Sequence, residues 1–392
     1  MGTTTAAGLW LPTADGAAEW RRLSPRSAVH DLALARPGPA ASRQAYAAAH
    51  VVVDPLAASV EAIDWDATLA FRRHLWSLGL GVADAMDTAQ RGGALSWPAA
   101  RELIARSGAE ARAAGGALAC GAATDQLPAG GRHALPDLAD AYVEQAGWIR
   151  QAGGTPVLMA SRQLAAVAAD ADDYGRVYDE VLSQVDGPVL LHWLGEPFDP
   201  AMRGYWGSTD LDRATDTVLD VIGGHAGRVA GIKVSLLDAG REVAMRRRLP
   251  AGVRMFTGDD FHYDVLVAGD EHGHSDALLG ILDAIAAPAR AALSRLDAGD
   301  AAGYADLLAP TVPLARLLFA APTSAYKTGI VFLAWLNGHQ GHFHMLGGAQ
   351  GLRSVRHLVE VFRLADAAGV LADPELAVRR MRAYLAVAGF EA

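Results

Sequence analysis

Lysine is almost missing from this chain of 392 residues: of its 34 Lys and Arg residues only Lys233 and Lys327 are lysine, which leaves 32 arginines. Where a cation only has to be solvated the two interchange, and a composition heavy in Ala, Gly and Arg is what such drift leaves behind. Arginine cannot lose its proton in a protein, whereas lysine can be desolvated, neutralised and turned into a nucleophile. Each surviving lysine is therefore a candidate for chemistry that arginine cannot do, although chance retention and a structural amine leave the same trace. Cysteine is scarcer still: one residue, Cys120, excludes an internal disulfide. No apolar run approaches the 18 residues of a membrane span, although 51% of residues are hydrophobic. Positive charge is in deficit, with a net charge of −10, and no Lys/Arg cluster is left to release counterions from a phosphate backbone. Neither membrane nor nucleic acid is expected as a partner. The opening MGTTTAAGLWLPTADG has no basic n-region and no apolar h-region, so the cytoplasm is expected.

A rhythm of short apolar run, polar turn and helical stretch fills most of the chain. Residues 1–46 lack a sustained period and read as an N-terminal extension packed on the main domain. Candidate strands are AHVVVDP (49–55), GVADAMD (81–87), GGALACGAATD (115–125), TPVLMAS (155–161), GPVLLHWLG (187–195), RVAGIKVS (228–235), GVRMFTGDD (252–260) and, with the weakest pattern, HGHSDALLG (272–280). Amphipathic segments come after each of them, with Asp64 or Asp66 as the cap of the first helix and Ser96 before a first-turn Pro98. Eight such units predict a closed parallel (β/α)8 barrel, a TIM barrel, over 47–280. Residues 281–392 read as a C-terminal helical region.

In that architecture chemistry lies at the C-terminal ends of the strands. The residues there are Asp54, Asp87, Thr88, Thr124, Asp125, Ser161, Arg162, His192, Lys233, Asp259 and Asp260. Asp, Ser and Thr at such turns also cap the next helix, so each of them carries that second reading. Lys and His are poor caps. A lysine between Ile232 and Val234, facing an apolar barrel mouth, loses hydration that its charged form needs. At the ordinary lysine pKa of about 10.4, fewer than about one amine in a thousand is neutral at pH 7, so lowering it to near 7 multiplies the nucleophile roughly a thousandfold. A neutral lysine in a barrel suits imine formation with a ketone or aldehyde, which supplies an electron sink for the adjacent bond.

VAGIKVS followed by FTGDD resembles strands six and seven of the dihydrodipicolinate synthase and N-acetylneuraminate lyase superfamily, and the likeness extends over roughly residues 48–340. The resemblance implies that Lys233 forms a Schiff base and that Thr88 matches the first threonine of a carboxylate-binding pair. It departs elsewhere. The second threonine is Ala89, the preceding glycine is Asp87 and the glutamate is Arg91. The proton-shuttling tyrosine of strand four falls near Ser161 or Arg162, and the tyrosine opening the strand-five motif is His192. The chain is thus identified as a member of a divergent, dihydrodipicolinate-synthase-like branch. The expected activity is that of a class I lyase or aldolase acting through Lys233 on a keto-sugar or 2-oxo sugar acid, with a dehydratase using the same imine as an alternative.

His192, with an ordinary pKa near 6.5, is the candidate proton shuttle, or else a hydrogen-bonded structural histidine. Asp87, Thr88, Asp125, Ser161, Arg162, Asp259 and Asp260 are the candidate substrate-binding residues. No cofactor is expected beyond the covalent lysine imine with substrate. The competing reading is a metal-dependent sugar isomerase or epimerase built on Asp259, Asp260, His262, His272, His274, His339, His342 and His344, whose spacing matches no diagnostic metal motif. A third reading is a catalytically dead barrel kept for binding. Lys327, at a helix start, is either structural or an approach to the bowl from the helical tail. A small carbonyl compound and a homo-oligomer, dimer or tetramer, complete the expected partners.

Overall fold

A computed structural model describes residues 7–390 apart from 14, 36–37, 58, 60–61, 87–89 and 129. Ten strands run in chain order as β1 (Gly8–Pro12), β2 (Ala18–Arg22), β3 (Ala45–Ala48), β4 (Gly81–Asp84), β5 (Leu118–Ala122), β6 (Thr155–Leu158), β7 (Val189–Leu194), β8 (Val229–Ser235), β9 (Arg254–Thr257) and β10 (Asp276–Leu279). Strands β3 to β10 are all parallel and form a closed barrel, in which β10 pairs with both β9 and β3. The expected TIM-like barrel is present. By contacts the chain divides into two compact units, one of residues 43–49 and 80–280, the other of 1–42, 50–79 and 281–392.

The first unit holds the barrel and the helices that come after β4 to β9, from Trp97–Ala114 to Tyr263–Ala268. Strands β4, β5 and β10 are buried on both faces, as a helix-covered parallel sheet requires. Inside, Ala48, Ala83, Ala119 and Ala123 meet Val157, Met159, Leu190, Phe256 and Leu278 in one buried cluster. Met86, just after β4, belongs to the same cluster, and Tyr46 of β3 packs against it. Ser161 accepts from Leu164 N, which bears out its second reading as a cap, and Asp210 and Asp238 cap the helices Leu211–Gly224 and Ala239–Arg246.

The second unit contains the β1–β2 hairpin and the helices Val29–Leu34, Trp65–Ser77, Ile281–Ala284, Ala286–Asp297, Ala301–Leu308, Val312–Leu318, Tyr326–Leu336, Val355–Ala367 and Pro374–Val387. Asp64 caps the second of these, accepting from Ala67 N at 3.0 Å. The hairpin is a structure that the sequence reading of 1–46 lacked. Leu9 and Leu11 turn inward while Trp10 and Trp20 pair edge to face on the exposed side. Arg21 and Ser24 bind Asp366, and Arg382 donates to the Gly8 carbonyl, which ties the hairpin to the last two helices.

One strand was expected at 49–55 and lies at Ala45–Ala48 instead. Val51, Val52 and Val53 are buried, but Val52 N donates to the Thr68 hydroxyl and its carbonyl accepts from Asp64 N. A side chain and a helix start satisfy that backbone, so the apolar run does not need a ladder. Among the described residues no single helix is long and apolar enough to cross a membrane. Two helical segments, Ala301–Leu318 and Thr323–Leu336, pass that test only as a pair bent by 112°, and Tyr326–Leu336 is largely buried inside its unit.

Candidate active site

Strand β8 alternates its side chains, so Gly231, Lys233 and Ser235 share one face. Gly231 stands opposite Leu190 of the interior cluster, and a Cβ on it would meet the Phe256 ring at 2.8 Å. That face is the barrel interior. Lys233 therefore projects inward near the C-terminal end of β8, with a fractional exposure of 7%. Gly258, in FTGDD, is the residue that makes room for it: a Cβ there would lie 2.8 Å from Lys233 Cε and 2.1 Å from Ser235 Oγ. Gly231 and Gly258 thus serve one purpose, close approach of backbone to a filled interior.

His192 pairs in register with Lys233 on the neighbouring strand, and Leu190, two residues earlier, is interior, so His192 is interior too. It is 1% exposed. Its Nε2 lies 3.1 Å from Ser235 Oγ, while its Nδ1 is buried with no hydrogen-bond partner among the described residues. Burial, and after it the neighbouring Lys233 charge, push the imidazole well below the usual histidine range. His192 is consequently neutral at physiological pH.

A cavity of about 870 Å³ opens where the segments after β4, β5 and β6 gather over the end of β7. Its walls include Thr124, Asp125, Ser161, Arg162 and His192, so five of the expected residues meet there. Lys233 does not line it and stands one strand beyond His192. Asp259 and Asp260 are buried after β9 and do not line it either. Asp87 and Thr88 lie outside the described residues, and Asp54, in the other unit, accepts from Leu56 N.

Most polar groups around the cavity already have partners. Asp125 receives Nε and Nη2 of Arg91, both at 2.7 Å, and Gln145 Nε2 at 2.9 Å. Arg91 also donates to the carbonyls of Ala85 and Gly121 and to Gln145 Oε1, which uses all five of its N–H groups. Burial raises Asp125, but the Arg91 bonds and charge outweigh it and hold the carboxyl below its ordinary range. Arg162 binds Asp199 at 2.5 Å and the Gly92 carbonyl at 2.7 Å, bridging the segments after β4 and β7. Thr124 and Ser161 share a hydrogen bond of 2.6 Å, and Thr124 also reaches Gln163. Asp259 holds Phe261 N, His262 N and the His262 ring, so it organises its own turn.

The histidines of the competing reading engage other groups. His262 sits on Asp259, His272 contacts Glu271, and His342 bonds the Val53 carbonyl. His339 packs on His74, with ring centroids 4.5 Å apart. Among the described residues no three His, Cys, Asp or Glu side chains form a metal-holding group. Lys327 belongs to the helical unit, 6.0 Å from the Tyr326 ring.

Sequence reasoning missed Ser235, although its place two residues after Lys233 on a strand puts both on one face. It also missed a buried hydroxyl cluster behind Ser161. Tyr205, carried by the segment after β7, accepts from Ser161 N at 3.1 Å and meets the Tyr178 hydroxyl at 3.0 Å.

The candidate site is thus an inward lysine beside a buried histidine at the C-terminal end of a parallel eight-stranded barrel. The chain belongs to the family described as "Protein of unknown function (DUF993)", whose profile matches residues 9–390. Among solved structures it is similar to YagE of E. coli K12, a prophage protein of the dihydrodipicolinic acid synthase family solved in complex with pyruvate. That match has a TM-score of 0.67 and 14% identity, covering 84% of this chain and 100% of that one. It is also similar to dihydrodipicolinate synthase from Aquifex aeolicus, with a TM-score of 0.63 and 11% identity over 84% of this chain and 99% of that one. At such identities the likeness is one of fold. No curated protein sequence matches the chain.

Proposed function

We propose that the protein is a Schiff-base-forming lyase of the class I aldolase type, with Lys233 as the nucleophile. The observation that carries this is a lysine 7% exposed on the interior face, next to a histidine with an unpartnered buried nitrogen. Imine formation uses the unprotonated amine, whose lone pair attacks a carbonyl carbon. Loss of water then gives the imine. Its cation draws the electron pair of the adjacent carbon–carbon bond as the β-hydroxyl loses its proton, releasing an aldehyde and leaving an enamine. Protonation and hydrolysis of the enamine return the lysine.

His192 is the group suited to that proton. When its Nε2–H donates to Ser235 Oγ, Nδ1 presents a lone pair to which the proton can pass as the bond breaks. Ser235 orients the ring through that contact, its hydroxyl being able to accept or donate. Gly258 keeps Lys233 close, because any side chain there would displace its stem.

The test is reductive trapping. A ketose with cyanoborohydride should add one substrate residue per chain to the wild type and none to Lys233→Arg. A Lys233→Arg variant that still takes up the label contradicts the assignment.

A further inference from the structure

We infer that Glu242 is a positioning residue for Lys233: from the helix layer, through its bond to Thr257, it holds the turn 257–259 against the lysine stem. The role stands on packing, and its meaning for catalysis rests on the imine reading of Lys233. Glu242 lies on the helix Ala239–Arg246 and is 1% exposed. Phe256 belongs to the interior cluster, so Thr257, the next residue of β9, faces outward to the helices. There its hydroxyl bonds the Glu242 carboxyl and accepts from Asp259 N at 3.1 Å. Between the two ends of that bond to Asp259 lies Gly258. Its N donates to the Val234 carbonyl at 2.8 Å, and its lack of a Cβ leaves the space that Lys233 Cε occupies. The acid, the hydroxyl and the turn thus form one line of bonds behind the residue on which Lys233 packs.

The bonds on Glu242 are those of a neutral acid. Ser275 Oγ donates to Oε1 at 2.7 Å, while Oε2 is buried with no partner among the described residues. Residues 229–280 are all described, so the helix of Glu242, the end of β9 and the segment before β10 are complete around it. A proton on Oε2 leaves Oε1 as a carbonyl oxygen, which accepts hydroxyls. Ionisation would instead bury charge on an oxygen that no donor meets, and a missing bond to a buried charge costs about a factor of ten or more. The charged groups acting on it are Asp259, which repels the anion, and Arg246, one helical turn on, which attracts it. Arg246 is itself engaged by Asp270 at 3.0 Å and by Ser275 Oγ at 3.3 Å. Burial, with the Asp259 charge behind it, outweighs the Ser275 and Thr257 bonds and Arg246, and pushes the carboxyl up to about 7. Glu242 therefore ionises as pH rises through neutrality, and the turn must then move to bring a donor or water to Oε2.

The experiment methylates the full-length protein with formaldehyde and cyanoborohydride, and compares by peptide mass the rates at its two lysines, Lys233 and Lys327, from about pH 6 to about pH 8.5. Lys327, in the other unit, is the reference. In the wild type the ratio of Lys233 to Lys327 labelling should fall about tenfold or more as pH rises through neutrality. In Glu242→Gln, whose amide keeps the carbonyl oxygen and cannot ionise, the ratio should stay flat. Thr257→Val, which cuts the link and leaves the acid, should be flat as well. A flat ratio in the wild type overturns the role. So does a fall that persists in either variant, which would belong to the lysine's own titration. Failure of a ketose to trap on Lys233, with the pH-dependent fall intact, removes the imine reading and leaves the positioning by Glu242 standing.

Discussion

At the residue scale the site depends on close approach. Gly258 and Gly231 are two glycines whose lack of a side chain the interior needs, one for the lysine stem and one for the Phe256 ring. Gly258→Ala would force Ser235 Oγ and Lys233 Cε aside, an overpacking cost of about 1–3 kcal/mol. The expected outcome is a folded protein with a lower melting temperature and reductive labelling of Lys233 slowed about tenfold or more. Labelling at the wild-type rate in that variant would show that this packing does not set the lysine's position. The AGIKVS and FTGDD stretches made Lys233 legible, because a lone lysine between apolar β-branched residues on a strand has few other uses. The Arg91–Asp125 pair was not legible as a pair. Its members sit on two turns 34 residues apart, and only the register of β4 against β5 brings them together. The same holds for the Tyr205 hydroxyl, delivered to Ser161 from beyond β7.

At the scale of elements, seven of the eight barrel strands lie within the segments that their apolar runs indicated, because a strand buried on both faces has no other composition available. The first did not, since AYAA carries little hydrophobic signal while the adjacent Val51–Val53 run is buried by a different route. The hairpin was missed although Leu9 and Leu11 alternate with Trp10, a period of two too short to stand out. The helical unit carries its own consequence. His339 is held between Phe71, His74 and His50, with Arg380 also acting on it; burial, then the histidines and Arg380, push it down to about 3. His74 beside it is lowered too, chiefly by burial. Such groups stay neutral when folded but take up a proton when unfolded, so stability is full above pH 6.5 and declines as pH falls toward the folded value. Each contributes at most about 1.4 kcal/mol per pH unit over that window. Melting temperature should therefore fall between pH 6.5 and 4, and less steeply in His339→Phe. Parallel curves for the two proteins would remove His339 from the cause.

At the scale of the whole molecule the chain carries a net charge of −10. Among the described residues the cavity's strongest charges cancel in pairs, leaving the exposed Arg132. Fold class was open to a reader of the sequence because eight repeats of one unit close in only one way. The pairing of charges around the cavity was not, because Arg91 with Asp125 and Arg162 with Asp199 meet only across turns. The most direct test of the imine at Lys233 is a crystal of the protein soaked with D-xylulose. The expected result is density continuous from Lys233 Nζ to the carbonyl carbon of the sugar, with a sugar hydroxyl about 2.6–3.2 Å from His192 Nδ1. A sugar seated in the cavity with no bond to Lys233, and with the lysine nitrogen turned to a carboxylate, would contradict it.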